Sequence, residues 1–167
     1  GTGAFKNCLS LGNVYSTVHA KTNYNLTTIG SRCFMGCTNH TSINFDMFVK
    51  LTIIESSAFQ NTAITSVGSL SQVTTLGDSA FQSCPHLKYW NSPPLYENLP
   101  LTTIGNQCFM DCSMFLGVNL NSFKNLTTIG NNAFQSTKFG TVDFGVGVIK
   151  VGQFAFANCQ DLSTVYF

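Results

Sequence analysis

Seven cysteines and three histidines carry the most reactive side chains in this sequence, and their spacing decides what they can do. Thiols can ligate zinc, pair as disulfides or act as nucleophiles, and imidazoles can hold metals or relay protons. A zinc site wants four converging ligands, commonly with Cys-x₂-Cys spacing. Cys33/Cys37 and Cys108/Cys112 each form a spaced pair, but nothing sets a second pair beside either. Cys8, Cys37, Cys84, Cys112 and Cys159 instead lie three residues after a phenylalanine, and Cys33 and Cys108 lie one before a phenylalanine. Position in a repeating pattern therefore accounts for all of them, and a free cysteine packs as a small buried hydrophobe. Reduced core thiols are the expected state; a disulfide between stacked neighbours such as Cys8 and Cys37 is the less favoured alternative. His40 falls on an apolar repeat position, His86 precedes one, and His19 lies in a long connection. No serine, histidine and carboxylate recur as a set, so the chain reads as non-catalytic, with no metal and no cofactor.

Such residues must be positioned by a scaffold, and the composition narrows its class. Of 167 residues, 44% are hydrophobic and 13% aromatic but only 9% charged, which is the reverse of a disordered chain. The net charge of +1 is too small to neutralise phosphates, which excludes nucleic acid and anionic membrane as expected partners. Thr, Ser, Asn and Gly interrupt every apolar run, so no segment reads as a membrane span. The opening Gly1-Thr2-Gly3-Ala4-Phe5 lacks the basic and apolar regions of a signal peptide and reads as part of a longer or processed chain.

Self-similarity is the dominant signal. Phe preceded by Ala or Cys recurs at 5, 34, 59, 81, 109, 134 and 156. Ahead of these stand Leu26-Thr27-Thr28-Ile29-Gly30, Leu101 to Gly105 and Leu126 to Gly130, with variants at Val73 to Gly77, Val148 to Gly152 and Leu51 to Glu55. Phe34, Phe59 and Phe81 recur at Phe109, Phe134 and Phe156 with one offset of 75 residues, so a three-repeat module is duplicated over 26–100 and 101–167. After each Phe, apolar pairs three residues apart follow, such as Ile64/Val67, Leu87/Trp90 and Phe139/Val142. Their continuation by alternation predicts one short strand per unit in this second element. No such unit can bury its apolar face alone, so about seven of them stack into a single solenoid over 1–167, read as a piece of a longer array. The repeated Phe residues are expected to form one buried spine.

Thr128-Ile129-Gly130-Asn131-Asn132-Ala133-Phe134 and Gly77-Asp78-Ser79-Ala80-Phe81-Gln82-Ser83-Cys84 resemble the BspA-like, or Treponema pallidum type, leucine-rich repeat family. The likeness covers essentially the whole chain, with Cys33 and Cys108 replacing Ala, and Thr62 and Thr137 replacing Cys. It implies an α/β-type repeat solenoid: a right-handed coil with a parallel concave sheet, short 3₁₀ or helical turns and little long helix. It also implies an extracellular or cell-surface setting, adhesion to host proteins or other cells, and neither catalytic residues nor a cofactor.

Alternation places Asn13, Tyr15, Asn44, Tyr89, Asn91, Asn119, Asp143 and Tyr166 on the concave face, flanking the buried strand positions. Tyr supplies rigid contact area and Asn adaptable hydrogen bonds, as in recognition surfaces, so a protein or glycan ligand fits. The long connections 15–25 and 91–100 add Lys21, Tyr24 and Tyr96 as rim candidates. The convex side is assigned to the Leu-Thr-Thr-Ile-Gly segments. The alternative is a structural or assembly element of a cell envelope or phage particle, in which low net charge favours self-association. Asn25, Asn39 and Asn125 match the N-glycosylation acceptor pattern, which matters only in a eukaryotic source.

Overall fold

The computed structural model describes residues 1–12, 25–68, 70–90 and 99–167. The chain winds as a solenoid of parallel strands. Its largest sheet has six strands: β1 (Thr28–Ile29), β2 (Ile53–Ile54), β4 (Thr75–Leu76), β6 (Thr103–Ile104), β7 (Thr128–Ile129) and β9 (Lys150–Val151), in the order β1-β2-β4-β6-β7-β9. Two further strand pairs complete the set: β3 (Ser66–Val67) with β5 (Tyr89–Trp90), and β8 (Thr141–Asp143) with β10 (Thr164–Tyr166).

The expected parallel coil is present, but its continuous sheet is not where the alternation placed it. The Leu-Thr-Thr-Ile-Gly segments, read above as the convex side, form the unbroken ladder, while the second element forms only the two short pairs. The reason lies in the residues. In β1, β4, β6 and β7 the Ile or Leu is buried and the Thr before it is half-buried, a strand pattern too short to register as an alternation. The first Thr adds a second rail: Thr52, Thr74, Thr102 and Thr127 donate Oγ1 to the carbonyls of Thr27, Thr52, Thr74 and Thr102 at 3.0 to 3.3 Å.

The closing Gly is required by proximity. A Cβ on Gly105 would lie 2.6 Å from the Gly77 carbonyl carbon, and one on Gly130 2.5 Å from the Asn106 nitrogen. Glu55 occupies the Gly slot in one coil, and its carboxylate accepts from the Ser31 N–H at 2.7 Å and Oγ at 2.9 Å. In later coils Asp78, Asn106 and Asn131 side chains accept from the amides of Asn106, Asn131 and Gln153 instead.

Around Ala-Phe the chain adopts hydrogen-bonded turns, not a 3₁₀ or α-helix. Consecutive amides alternate: Cys33, Met35 and Cys37 close turns on Gly30, Arg32 and Phe34, while Arg32, Phe34 and Gly36 donate to Ser56, Ala58 and Gln60 of the next coil. The alternation needs left-handed residues two before and two after each Phe, and these are pairs such as Ser57/Asn61, Ser79/Ser83, Gln107/Asp111 and Asn132/Ser136, with φ of 55 to 60°. Small polar residues tolerate that region best. The 3₁₀ turns lie elsewhere, at Phe45–Met47 and Leu120–Ser122.

The Phe spine is continuous. Successive rings from Phe5 through Phe34, Phe59, Phe81, Phe109 and Phe134 to Phe156 stack with centroids 5.1 to 5.4 Å apart. Phe59, Phe81, Phe109 and Phe134 are fully buried, whereas Phe5 is 47% exposed. Beside the spine runs a column of thiols: Cys37, Cys84, Cys112 and Cys159 donate to the carbonyls of Phe5, Phe59, Phe81 and Phe134 at 2.9 to 3.1 Å. Thr62 and Thr137 keep the place of the missing cysteines by bonding the Phe59 and Phe134 carbonyls. All seven thiols are free; five are buried, Cys159 is half-buried and Cys8 is exposed. Burial pushes the Cys108 and Cys112 thiols up from their ordinary range, which keeps them protonated. His40 takes a core position as expected, its ring stacked on Phe34 and its Nδ1 2.6 Å from the Gly12 carbonyl; that acceptor fixes the proton on Nδ1.

Candidate ligand-binding face

The second element of each coil presents outward residues in register: Ser66 beside Tyr89 across β3 and β5, and Thr141 beside Thr164, with Asp143 beside Tyr166, across β8 and β10. Their inward neighbours Val67, Trp90 and Val142 are buried and fix the strands against the core. A backbone rail links successive coils on this side: Thr65 to Thr41, Lys88 to Thr65 and Leu116 to Lys88, each N–H donating to the earlier carbonyl. At the next step the rail slips, with Lys138 donating to Phe115. Gly117 sits at the slip with φ of +97°, and a Cβ there would lie 2.6 Å from the Phe139 ring. Only glycine meets both conditions at this position. The coil 115–119 therefore contributes no strand, and it separates the two pairs.

Two clefts flank the break. One, about 450 Å³, is lined by Thr65, Ser66, His86, Lys88, Tyr89 and Met114. The other, about 500 Å³, is lined by Leu116, Gly117, Val118, Asn119, Phe139, Gly140, Thr141, Asp143 and Tyr166. Both are open recesses on the surface rather than enclosed cavities. Met114 and Leu116 are exposed, so apolar surface lies at the centre of the face. Lys88 Nζ lies 5.1 Å from the Tyr89 ring centroid, a cation–π contact that holds the ammonium at the first cleft. In the second, Asp143 is oriented by two donors, the Gly145 N–H at 3.0 Å and Asn121 Nδ2 at 3.3 Å. Asn119 Oδ1 accepts from the Asn121 N–H at 3.0 Å and caps the 3₁₀ turn Leu120–Ser122.

Among the residues expected on this face, Asn119, Asp143 and Tyr166 come together in one cleft, Tyr89 lines the other, and Asn44 is exposed on an earlier coil. Asn13, Tyr15, Asn91, Lys21, Tyr24 and Tyr96 lie outside the described residues. Alternation alone did not single out Lys88, His86, Met114 and Leu116. For Lys88 and Leu116 the available signal was a large apolar or charged residue at a position where other coils carry Thr or Ser, such as Thr41, Thr65 and Ser163; His86 and Met114 carry no such signal. Among the described residues no cluster of three or more His, Cys, Asp or Glu could hold a metal ion, and no helix is long and apolar enough to cross a membrane.

A model of the BspA type leucine rich repeat region matches residues 1–99 and 96–167 in six copies. No curated protein matches the chain. Among solved structures, a leucine-rich repeat protein from Bacteroides ovatus is similar over 99% of this chain and 51% of its own, at 22% identity and a TM-score of 0.64. A leucine rich cell surface protein from Faecalibacterium prausnitzii is similar over 99% of this chain and 44% of its own, at 23% identity and a TM-score of 0.54. The chain thus spans about half the length of these structures, and at such identities the likeness is one of fold.

Proposed function

Since the chain belongs to the BspA-type leucine-rich repeat family, we propose that it is a non-catalytic adhesion module of a microbial surface or secreted protein. Repeats of this kind are generally non-catalytic and mediate protein interactions. On this reading a host protein or glycan docks across the face that carries Tyr89, Met114, Leu116, Asp143 and Tyr166. The observation that carries the reading is the break at Gly117. Elsewhere the coils repeat the same small residues, but here the repeat is interrupted, Gly117 and its neighbours line a cleft, and large side chains project. Interface energy concentrates in such central Tyr and apolar anchors.

Beads coated with the chain and applied to an epithelial cell layer test this. Native beads are expected to attach, a Tyr89→Ala/Tyr166→Ala variant to lose roughly tenfold in affinity or more, and a Thr75→Ala/Thr103→Ala variant on the six-stranded sheet to attach as native. Loss from the sheet variant with retention by the Tyr variant would reverse the assignment of faces.

A second reading, self-association, rests on Ile149 and Phe154. They stand where other coils carry Thr and small or polar residues. Sedimentation across a hundredfold dilution separates the two: a constant monomer supports adhesion by a single module, and a concentration-dependent mass that Phe154→Ser abolishes supports assembly.

A further inference from the structure

The geometry points to the cleft between Asn119, Asp143 and Tyr166 as a site for an uncharged sugar residue of a glycan. This inference rests on the reading of the face as a ligand-binding surface and adds the class of ligand to it.

Three features define the chemistry. Tyr166 is 58% exposed at the wall of the cleft, so its ring offers a flat apolar plate with a hydroxyl at the edge. Asp143 offers carboxylate oxygens whose orientation is set by Gly145 and Asn121, and each oxygen keeps lone-pair capacity beyond the one donor it accepts. Asn119 Oδ1 is taken by the Asn121 N–H, so its Nδ2 is the side-chain group left to donate. A plate, an ionised acceptor and an amide donor thus share one recess with the Thr141 hydroxyl.

Hydroxyl groups both donate and accept, so a pair of neighbouring sugar hydroxyls can satisfy the carboxylate and the amide together, while the C–H face of the ring covers the tyrosine. Hydrogen bonds to the ionised oxygen are the stronger kind. An anionic ligand fits poorly, because no Lys, Arg or His lines this cleft and Asp143 would repel it. A cationic side chain fits poorly as well. It could pair with Asp143, but it carries no acceptor for the Asn119 amide and would leave that donor facing a positive charge. The neighbouring cleft is different in kind, since Lys88 and His86 line it.

A glycan array carrying neutral, sialylated and sulfated oligosaccharides, probed with the labelled full chain, tests the inference. Binding to a neutral glycan is expected, displaced by the corresponding free methyl glycoside. Asp143→Asn and Tyr166→Ala should each weaken it about tenfold or more, while Tyr166→Phe keeps most of the affinity and Lys50→Gln, an exposed charge away from the cleft, changes nothing. Unaltered thermal unfolding of each variant excludes misfolding as the cause. The inference is overturned by binding to acidic glycans alone, by no glycan binding, or by neutral binding that Asp143→Asn and Tyr166→Ala leave intact. If no glycan binds while the Tyr89→Ala/Tyr166→Ala beads still lose attachment, the sugar assignment falls and the binding face stands.

Discussion

Each coil of this protein has a conservative side and a variable one. On the Leu-Thr-Thr-Ile-Gly side, the strands pair in unbroken register from Thr28–Ile29 to Lys150–Val151, and Thr hydroxyls, Gly backbones and Asn amides recur at fixed places. On the other side, β3–β5 and β8–β10 are separated by a coil with no strand, and Lys88, Leu116 and Gly117 stand where other coils have Thr or Ser. Stacking needs the first side to be uniform, because every coil presents its surface to a copy of itself on both sides. The second side shares the same inward anchors, Val67, Trp90 and Val142, so its outward residues can vary without cost to the stack. The division separates the part of the sequence that specifies the solenoid from the part available for recognition.

The largest expected effect lies in what both sides share. Phe109→Ala removes a fully buried ring stacked between Phe81 and Phe134 and touching Phe115 and Trp90, and should cost about 3–5 kcal/mol by denaturant unfolding. Phe5→Ala should cost clearly less, since Phe5 is half-exposed with one stacked partner in the spine. Equal losses would mean that the rings do not act as a spine. Next comes a direct contrast between the two sides. Gly130→Ala drives a Cβ to within 2.5 Å of the Asn106 backbone and should cost roughly 1–3 kcal/mol. Gly140→Ala, on the variable side, meets nothing nearer than 3.9 Å and should be close to neutral. If both cost the same, the uniform side is no more constrained than the other.

The thiol column gives a smaller, pH-dependent effect. Cys108 and Cys112 have pKa values raised in the folded state, chiefly by burial, whereas an unfolded thiol ionises near about 8.5. Below that pH both states are protonated and the groups' contribution to stability is fully present. Above it the unfolded state loses protons that the folded state keeps, so stability falls by up to about 1.4 kcal/mol per pH unit for each thiol. Unfolding curves between pH 7.5 and 10 should show this decline, and Cys108→Ala, which installs the residue found at Ala58 and Ala133, should flatten it by one thiol's share. An unchanged slope would show that Cys108 ionises as freely folded as unfolded.

How far the sequence discloses these features depends on periodicity. The repeat, the Phe spine and the shielding of most cysteines follow from residue types that recur at fixed spacing, because one packing solution is copied coil after coil. The location of the continuous sheet does not follow, since two-residue strands such as Thr75–Leu76 carry too few positions to show a period. The left-handed residues beside each Phe are visible only in retrospect as a bias toward Ser, Asn, Asp and Gly. The clefts are hidden for the opposite reason. The second lies where the pattern fails, at Gly117, and a failure has no second copy with which to be compared. Asn119, Asp143 and Tyr166 could be placed on one face by alternation, but that they share a recess depends on the slip of the rail from Leu116 to Phe115.

The smallest expected effect is the sharpest test of the division. Tyr89 and Tyr166 are about half-exposed, at 49% and 58%, and in β5 the core contact is supplied by the buried neighbour Trp90 rather than by Tyr89. Replacing either with Ala should therefore change stability by no more than about 0.5 kcal/mol, as for surface positions without a special role. A residue retained for packing would cost several times more, and one retained for recognition is expected to be nearly silent in unfolding while lowering affinity in the attachment assay. Measuring both quantities on the same two variants distinguishes these outcomes. A loss above about 1.5 kcal/mol, the scale of burying a large apolar side chain, would place Tyr89 and Tyr166 with the scaffold and leave Met114, Leu116 and Asp143 to account for binding at this face.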